Sequence, residues 1–271
     1  MTYQTFSPGA DLDAFIKCYW TLEGAEAQPP QRQRIVPDGC MEMIFHYGDL
    51  YRQYLDPSRY IVQPRCFVIG QLTRPLEIEP TGATGIFAVR FRTEGFIPFT
   101  TYPVKEMENR AVATELLFSD GGALLNRNIL EAKTTMDRIR IAEAFLRARL
   151  VSQTTIDRVA KQTVEMILSA NGQYSVDQLC GQLQVNRRQL ERKFASLIGI
   201  SPKQFSRIIR MQAMLRLLLN KQYDSLTSLA YEGDYYDQAH FIKDFRAFTG
   251  KTPGDFYGHN LQLSALFYGV E

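Results

Sequence analysis

The sequence predicts an α+β protein in which a β-rich N-terminal half precedes an all-helical C-terminal half. Three observations predict this order: short apolar runs between Gly and Pro residues in the first third, helical spacing of apolar residues after about residue 103, and a repeated helical pattern near the C-terminal end. The 271 residues are 45% hydrophobic and 22% charged, which is ordinary for folded proteins and excludes wholesale disorder.

The first third has the pattern of several short β-strands. Strands are predicted over residues 15–22, 41–47, 66–69, 76–79 and 86–91, with a turn at Pro37-Asp38-Gly39. The sequence has no βαβ rhythm and no Gly-rich phosphate loop, so a small sandwich or barrel is expected and a nucleotide-binding enzyme is not.

Two helices are predicted between the β-rich third and the repeat. Residues 136–150 and 155–168 carry apolar residues at helical spacing, and Asn171-Gly172 is a stop signal for the second helix. Two interpretations are open: the helices form a connector packed on its neighbours, or the same apolar stripes form a dimerisation surface.

A degenerate repeat with an offset of 51 residues lies within residues 174–257. The residues Asn186, Leu190, Phe194, Leu197, Gly199, Pro202 and Phe205 recur as Asp237, Phe241, Phe245, Phe248, Gly250, Pro253 and Phe256. Ser175 and Gln178 form a capping box ahead of the first copy, and Asn186 and Asp237 are suited to cap the next helices. The repeat therefore predicts two helix-turn-helix units joined by a helix over residues 202–220.

In a helix-turn-helix unit, outward residues at the start of the second helix contact base edges in the major groove. The outward residues are Arg187, Arg188, Glu191 and Arg192 in the first unit, and Gln238, Ala239, His240 and Lys243 in the second. Arg and Lys suit guanine, and Gln suits adenine. The helical register places Lys193 beside this face, where a phosphate contact is expected. Arg207, Arg210 and Lys221 are weaker phosphate candidates.

Three segments carry a resemblance to a known family: residues 199–205 (Gly-Ile-Ser-Pro-Lys-Gln-Phe), residues 235–245 (Tyr-Tyr-Asp-Gln-Ala-His-Phe-Ile-Lys-Asp-Phe) and residues 249–253. They resemble the signature of AraC-type transcription regulators. The resemblance implies sequence-specific DNA binding, and the family's base-contacting positions correspond to Arg188, Glu191 and Arg192 in the first unit and to Gln238, Ala239 and Lys243 in the second, with His240 beside them. Because Ala239 has no hydrogen-bonding group, the second unit is expected to read fewer bases or only a thymine methyl. Glu191 is expected either to accept a hydrogen bond from cytosine or to orient Arg188 or Arg192.

The N-terminal half carries a second resemblance. Residues 34–45, 67–71 and 89–92 look like the β-rich, cupin-like sensor half of one subgroup of these regulators. This implies a small β-barrel that binds an unknown small-molecule effector and changes the orientation or dimerisation of the DNA-binding half. The candidate effector-binding residues are Trp20, Tyr47, Gln71 and Arg90. In the alternative interpretation Trp20 and Tyr47 belong to the core, and Arg90 is a surface or ion-pair residue.

The predicted domains are a sensor over residues 1–105, a helical connector over 106–170, a DNA-binding domain over 171–260 and a tail over 261–271. Residues 172–260 carry a net charge of +4, whereas the whole chain carries +2. The expected partners are double-stranded DNA, the effector, a second copy of the chain in a homodimer, and RNA polymerase. No apolar run is long enough to span a membrane and no export signal precedes the first strand, so a cytoplasmic protein is expected. The chain has three histidines, which leaves little material for a metal site, and no cofactor or metal is expected.

Other classes of function are less well supported by the residues. A cupin-type metalloenzyme needs several His ligands, and only His46 lies in the N-terminal half. Self-alkylating DNA repair needs an activated cysteine, and none of the four cysteines lies beside a His in the sequence. A thiol redox sensor using Cys18, Cys40 or Cys66 stays open, as does a helical protein-interaction module.

Overall fold

The computed structural model describes residues 1–25, 30–150, 157–220 and 225–256. Within these residues the strands are β1 (Thr2–Phe6), β2 (Ile16–Gly24), β3 (Gln33–Ile35), β4 (Glu42–His46), β5 (Tyr51–Tyr54), β6 (Tyr60–Val62), β7 (Cys66–Ile69), β8 (Leu76–Pro80), β9 (Thr84–Phe91) and β10 (Ala111–Ala113). The helices are α1 (Thr114–Phe118), α2 (Asp120–Glu131), α3 (Thr135–Arg149), α4 (Arg158–Ser169), α5 (Val176–Leu183), α6 (Arg187–Ile198), α7 (Pro202–Leu219), α8 (Leu226–Glu232), α9 (Gln238–Thr249) and α10 (Pro253–Phe256). The α+β prediction is confirmed.

The strands form two antiparallel sheets. The six-stranded sheet has the order β1-β2-β9-β4-β7-β10, and the four-stranded sheet has the order β3-β8-β5-β6. Trp20 and Ile86 from the first sheet share a buried cluster with Tyr51 and Ile78 from the second. The sheets are not closed into a barrel, so the predicted cupin-like barrel is wrong in that respect. Short alternating strands are common to sandwiches and barrels, and closure depends on pairing between edge strands that the local pattern does not encode.

All five predicted strands are present, but half of the observed strands were missed. β6 is exposed at each of its three positions, and β3 and β10 are also only three residues long. A run of three residues is too short to show a pattern of alternating apolar and polar residues. β10 pairs with β7, so the six-stranded sheet continues past the boundary predicted at residue 105.

The helices within residues 106–170 pack in two different places. Helices α1 to α3 pack on the six-stranded sheet, where Leu125, Ile139 and Leu146 join its core. Helix α4 packs instead with the DNA-binding helices through Val164 and Ile167. The buried residues of α3 and α4 therefore pack inside the chain. Residues 151–156 lie outside the described residues.

The predicted repeat forms two helix-turn-helix units, α5–α6 and α8–α9, joined by α7. Leu190 and Phe194 are fully buried as predicted, but Leu197 is only half-buried and its neighbour Ile198 is buried instead. In α9 the equivalent positions, Phe248 and Thr249, are both buried, so the two helices keep the same phase and differ in the burial of one position. Lys221 and the tail over residues 261–271 lie outside the described residues, and no helix in the described ranges is long and apolar enough to span a membrane.

Candidate DNA-binding helices and inter-sheet cavity

The start of each predicted recognition helix is fixed by a side-chain cap. The Asn186 side chain accepts a hydrogen bond from the Gln189 backbone N–H at 2.8 Å at the start of α6. The Asp237 carboxylate accepts one from the His240 backbone N–H at 2.7 Å at the start of α9. These caps satisfy backbone donors that a helix leaves unpaired in its first turn.

Each recognition helix also ends at a glycine with a positive φ angle. Gly199 has a φ of 92° after α6, and Gly250 has a φ of 74° after α9. L-amino acids with a Cβ seldom adopt this left-handed conformation, so glycine is the natural stop. Both ends of both helices are therefore set by local sequence.

On α6 the exposed arginines have different partners. The Arg187 guanidinium donates to the Glu191 carboxylate at 3.0 Å and lies 3.4 Å from an Asp177 oxygen. Arg188 and Arg192 are exposed and form no ion pair with any residue in the described ranges. The expectation that Glu191 orients Arg188 or Arg192 is therefore wrong, because its carboxylate contacts Arg187, one helical turn away. Arg188 and Arg192 present the free positive charge of this helix.

The corresponding face of α9 is less charged. The Gln238 side-chain oxygen accepts a hydrogen bond from the Thr227 hydroxyl at 3.1 Å, which joins α9 to α8. The His240 ring lies edge-on against Tyr235 with ring centroids 5.3 Å apart. Ala239 and Lys243 are exposed. Only Lys243 brings a full positive charge to the four predicted positions of this helix.

Three other basic residues that were predicted to lie near phosphates contact groups within the protein. Lys193 lies 2.8 Å from the carboxylate of Asp157, the residue that caps α4. Arg207 lies 2.6 Å from an Asp244 oxygen, and Arg210 donates to the Gly172 carbonyl at 3.1 Å. These side chains therefore contact other segments of the chain.

A cavity of about 70 Å³ lies between the two sheets. Its walls are mostly apolar and include Trp20, Ile44, Phe67 and Ile78. Along β4 the side chains of Glu42, Ile44 and His46 all line it, as the period of two in a β-strand requires. The polar groups Glu42 and His46 therefore lie at opposite ends of an apolar middle.

The end near Glu42 holds a buried charged cluster, formed by Arg90, Asp38 and Glu42. The Arg90 guanidinium is 6% exposed and contacts both carboxylates, with a distance of 2.8 Å to Glu42. Glu42 also accepts a hydrogen bond from the Trp20 indole at 3.2 Å. Burial raises the pKa of Glu42 and the charge of Asp38 raises it further, although Arg90 opposes the shift. Burial likewise disfavours the Arg90 cation, but the two carboxylates outweigh it and raise its pKa.

At the other end, His46 is 1% exposed and stacks against Tyr51 and Phe67. Burial lowers the pKa of the imidazole to about 4; the Gln63 amide opposes this fall, and the charge of Arg65 adds to it. His46 is thus neutral at pH 7. Neither ring nitrogen makes a hydrogen bond of normal geometry within the described residues.

Two of the four predicted effector residues line this cavity and two do not. Trp20 and Arg90 are in its wall. The Tyr47 hydroxyl instead donates to Glu23 at 2.5 Å, and the Gln71 amide donates to the Gly39 carbonyl at 3.1 Å. Glu42 and His46 also line the cavity but were not among the predicted effector residues. Their alternate positions in the predicted strand over residues 41–47 indicate that they lie on the same face of that strand.

A larger cleft of about 860 Å³ lies between the sheets and helices α4 and α7, and it shares Asp38, Cys40 and Arg90 with the smaller cavity. Asp38 and Cys40 belong to residues 34–40, which we call the linking segment, and Arg90 contacts this segment through Asp38. Val36 in this segment is buried in the helical core. The Pro37 carbonyl accepts a hydrogen bond from Gln212 on α7, and the Arg34 guanidinium donates to the Thr249 carbonyl at the end of α9 at 3.0 Å.

Gly39, also in the linking segment, packs directly on α7. Its φ is 79°, and a Cβ placed there would lie 2.8 Å from a ring carbon of Phe205. The linking segment therefore contacts the cavity on one side and the DNA-binding helices on the other.

The remaining enzyme and redox interpretations find little support in the geometry. Within the described ranges no group of three or more His, Cys, Asp or Glu side chains could hold a metal ion. Burial raises the pKa of Cys40 to about 11 and that of Cys66 to about 12, and it also raises the pKa of Cys18. A thiol that resists ionisation is a poor nucleophile, so these cysteines are not activated.

Two different protein families match the N-terminal and the C-terminal part of the chain. Residues 4–113 match a family described as a domain of unknown function (DUF6597), and residues 179–258 match a family described as a helix-turn-helix domain. The HTH-type transcriptional regulator MtrA of Neisseria gonorrhoeae is 32% identical over 84 residues. That match covers 31% of this chain and 28% of MtrA, so the two sequences are similar over less than a third of the length of MtrA. The C-terminal region is an AraC-type helix-turn-helix domain, as the resemblance implied.

The solved structures that match this chain have low sequence identity to it. ToxT from Vibrio cholerae is 11% identical, with a TM-score of 0.47 and coverage of 94% of this chain and 98% of ToxT. The C-terminal domain of the response regulator AraT from Geobacillus stearothermophilus is 20% identical, with a TM-score of 0.36 and coverage of 38% and 86%.

Proposed function

We propose that the protein is a sequence-specific DNA-binding transcription regulator whose two recognition helices, α6 and α9, enter successive major grooves on one face of DNA. The observation that carries the proposal is the pair of helix-turn-helix units with both helix starts capped and six of the eight outward residues exposed. The family match over residues 179–258 supports it. We assign no enzymatic activity to the chain.

The charge on the two helices fits this role. Arg188 and Arg192 are exposed, and their planar guanidinium groups suit the paired acceptors of guanine. Gln238, Ala239, His240 and Lys243 form the second contact face. Arg187 and Glu191 complete the first face as an ion pair, which would be rearranged if either residue contacts a base.

The test is fluorescence anisotropy with DNA from upstream of the gene itself and a scrambled control, repeated across salt concentrations. We expect tighter binding to the native sequence, with log K falling linearly in log salt because bound phosphates release counterions. Equal and weak binding to both DNAs at every salt concentration would count against sequence-specific binding. Absence of binding at low salt would favour the protein-interaction module.

We propose further that a small-molecule effector in the inter-sheet cavity controls DNA binding through the linking segment. Trp20 and Arg90 are the predicted effector residues that this route retains, since Tyr47 and Gln71 have other contacts. The linking segment supports the route, because residues 35, 36, 38 and 40 line the cavity while Pro37 and Gly39 contact α7. An effector that moves this segment would change the free-energy difference between two arrangements of the DNA-binding helices.

The variant Gln212→Leu tests this route. Gln212 is 7% exposed and donates to the Pro37 carbonyl, so it has no access to DNA in this arrangement. We expect the substitution to change DNA affinity at least severalfold without changing base preference. Unchanged affinity in a folded variant would contradict coupling through the linking segment.

A homodimer is proposed as the DNA-binding form, because one double unit offers limited surface against competing genomic sites. Light scattering at several protein concentrations tests it, and a monomer mass at all of them would overturn it. RNA polymerase is a proposed partner only in the sense that a regulator bound upstream of a gene can contact it.

A further inference from the structure

The charged cluster at one end of the inter-sheet cavity has one more negative charge than positive when both carboxylates are ionised, a state that Arg90 favours against the effect of burial on Glu42. Arg90 is contacted by Asp38 and Glu42 together. A ligand carboxylate would have to displace one of these carboxylates and would meet repulsion from the other. A cationic group would instead balance the excess charge.

The atoms of Glu42 also fit a cationic ligand group. One oxygen of the carboxylate, Oε1, accepts hydrogen bonds from both Arg90 and Trp20. The Oε2 atom makes no hydrogen bond among the described residues. Ammonium groups donate strongly to such an oxygen.

The opposite end of the cavity independently points to a ligand. His46 lines the cavity, is 1% exposed and has two ring nitrogens without a hydrogen bond of normal geometry. The Gln63 amide lies near the imidazole but is poorly aligned with it, and burying a polar group with poor hydrogen bonds is unfavourable. A ligand hydroxyl can supply a well-aligned partner. Glu42 and His46 are four residues apart on β4, so their backbones are about 13 Å apart with an apolar wall between them.

We propose that the cavity binds a small amphipathic organic amine, with its ammonium group at Glu42 and its apolar body along Trp20 and Ile44. A hydroxyl at the far end of the ligand would bond to His46. The inference rests on the proposed effector role of the cavity and adds the chemical class of the effector. It separates amines from carboxylates of the same shape.

Trp20 makes a direct test available, because it is the one tryptophan of the 271-residue chain and it lies in the cavity wall. Hexylamine, hexanoate and 1-hexanol share one carbon chain and differ only in the head group. In titrations of the full chain followed by Trp20 fluorescence, we expect hexylamine to bind at least about tenfold more tightly than either of the others. Hexanoate binding as tightly as hexylamine would overturn the proposal, and so would no saturable response to hexylamine up to about 10 mM.

Variants locate the two ends of the ligand. Glu42→Gln is expected to lower hexylamine affinity roughly tenfold while leaving that of 1-hexanol unchanged. The matched control is Glu79→Gln, which removes a carboxylate that pairs with Arg52 and does not line the cavity. 6-Amino-1-hexanol should bind more tightly than hexylamine, and His46→Phe should remove that difference. If Glu42→Gln does not fold, as judged by circular dichroism, the head-group series on the unmodified protein decides the result alone.

The same protein preparation is assayed for DNA binding by anisotropy. Intact DNA binding with the wrong head-group preference overturns this inference and leaves the DNA-binding function standing. The expected head-group preference without DNA binding overturns the DNA-binding function and leaves an amine-binding cavity.

Discussion

The two helix-turn-helix units have similar frames, but α6 and α9 present different chemistry to their surroundings. Each recognition helix has an Asn or Asp cap at its start and a glycine with positive φ at its end. Between these ends, α6 exposes Arg188 and Arg192 as free cations, whereas α9 has one free cation, Lys243, at its predicted contact positions. The frame depends on buried and capping residues, and the exposed positions between them are free to differ. The first unit is therefore expected to supply more of the electrostatic affinity for DNA.

The largest expected effect tests whether the two units share one core. Phe194 and Phe245 are fully buried at equivalent positions, and both belong to a cluster that runs from α4 to α10. Phe194→Ala and Phe245→Ala should each lower the free energy of unfolding by about 3–5 kcal/mol, because each leaves a cavity. Urea unfolding should remain a single transition in both variants. A second transition in either variant would mean that the units unfold independently.

The next effect concerns the charge difference between the units. Arg188→Ala and Arg192→Ala should each weaken binding to specific DNA by about 1–3 kcal/mol and relax base preference at one position. Lys243→Ala should cost less, because a single lysine contact lacks the paired geometry of arginine. Anisotropy with native and scrambled DNA measures both quantities. Equal losses on the two DNAs would mean that the arginines contact phosphates.

Exchanging the cap residues of α6 and α9 is expected to change DNA affinity by smaller amounts and in opposite directions. Asp237→Asn keeps the cap of α9 and removes a negative charge from its DNA-facing end, so DNA affinity should rise by up to about 1 kcal/mol. Asn186→Asp should lower it by a similar amount in the first unit. Both variants should change stability little, since Asn and Asp cap helices about equally well. Changes of the same sign in both variants would contradict the electrostatic explanation.

The smallest expected effect is that of Arg187→Ala. Arg187 already pairs with Glu191 and Asp177 at the protein surface. Exposed ion pairs contribute about 0–1 kcal/mol, so its removal should change stability by less than that and leave base preference unchanged. DNA affinity is measured by anisotropy as for the other variants. If Arg187→Ala lowers DNA affinity as much as Arg188→Ala does, the ion pair opens when DNA binds.

Much of the DNA-binding half could be predicted from the sequence, because its signals are local. Caps such as Asn186 act on backbone groups three residues away, and Phe194 and Phe245 repeat at helical spacing. For the cavity, two of the four predicted effector residues, Trp20 and Arg90, are in the wall. The Glu42–Arg90 contact depends on the pairing of β4 with β9, which joins residues 48 positions apart. The contacts of Arg34 and Gln212 between the two halves depend on packing that no local pattern encodes.

The linking segment also determines where the protein can be divided. Val36 is buried among the DNA-binding helices, and Gly39 packs against Phe205, although both residues belong to the sensor half by sequence. Removing the sensor would expose apolar side chains on α7, and exchanging it for another sensor would place foreign side chains there. Chimaeric regulators built from this chain should therefore keep residues 34–40 matched to α7. The two halves are joined in sequence like separate modules, but they are constrained to change together.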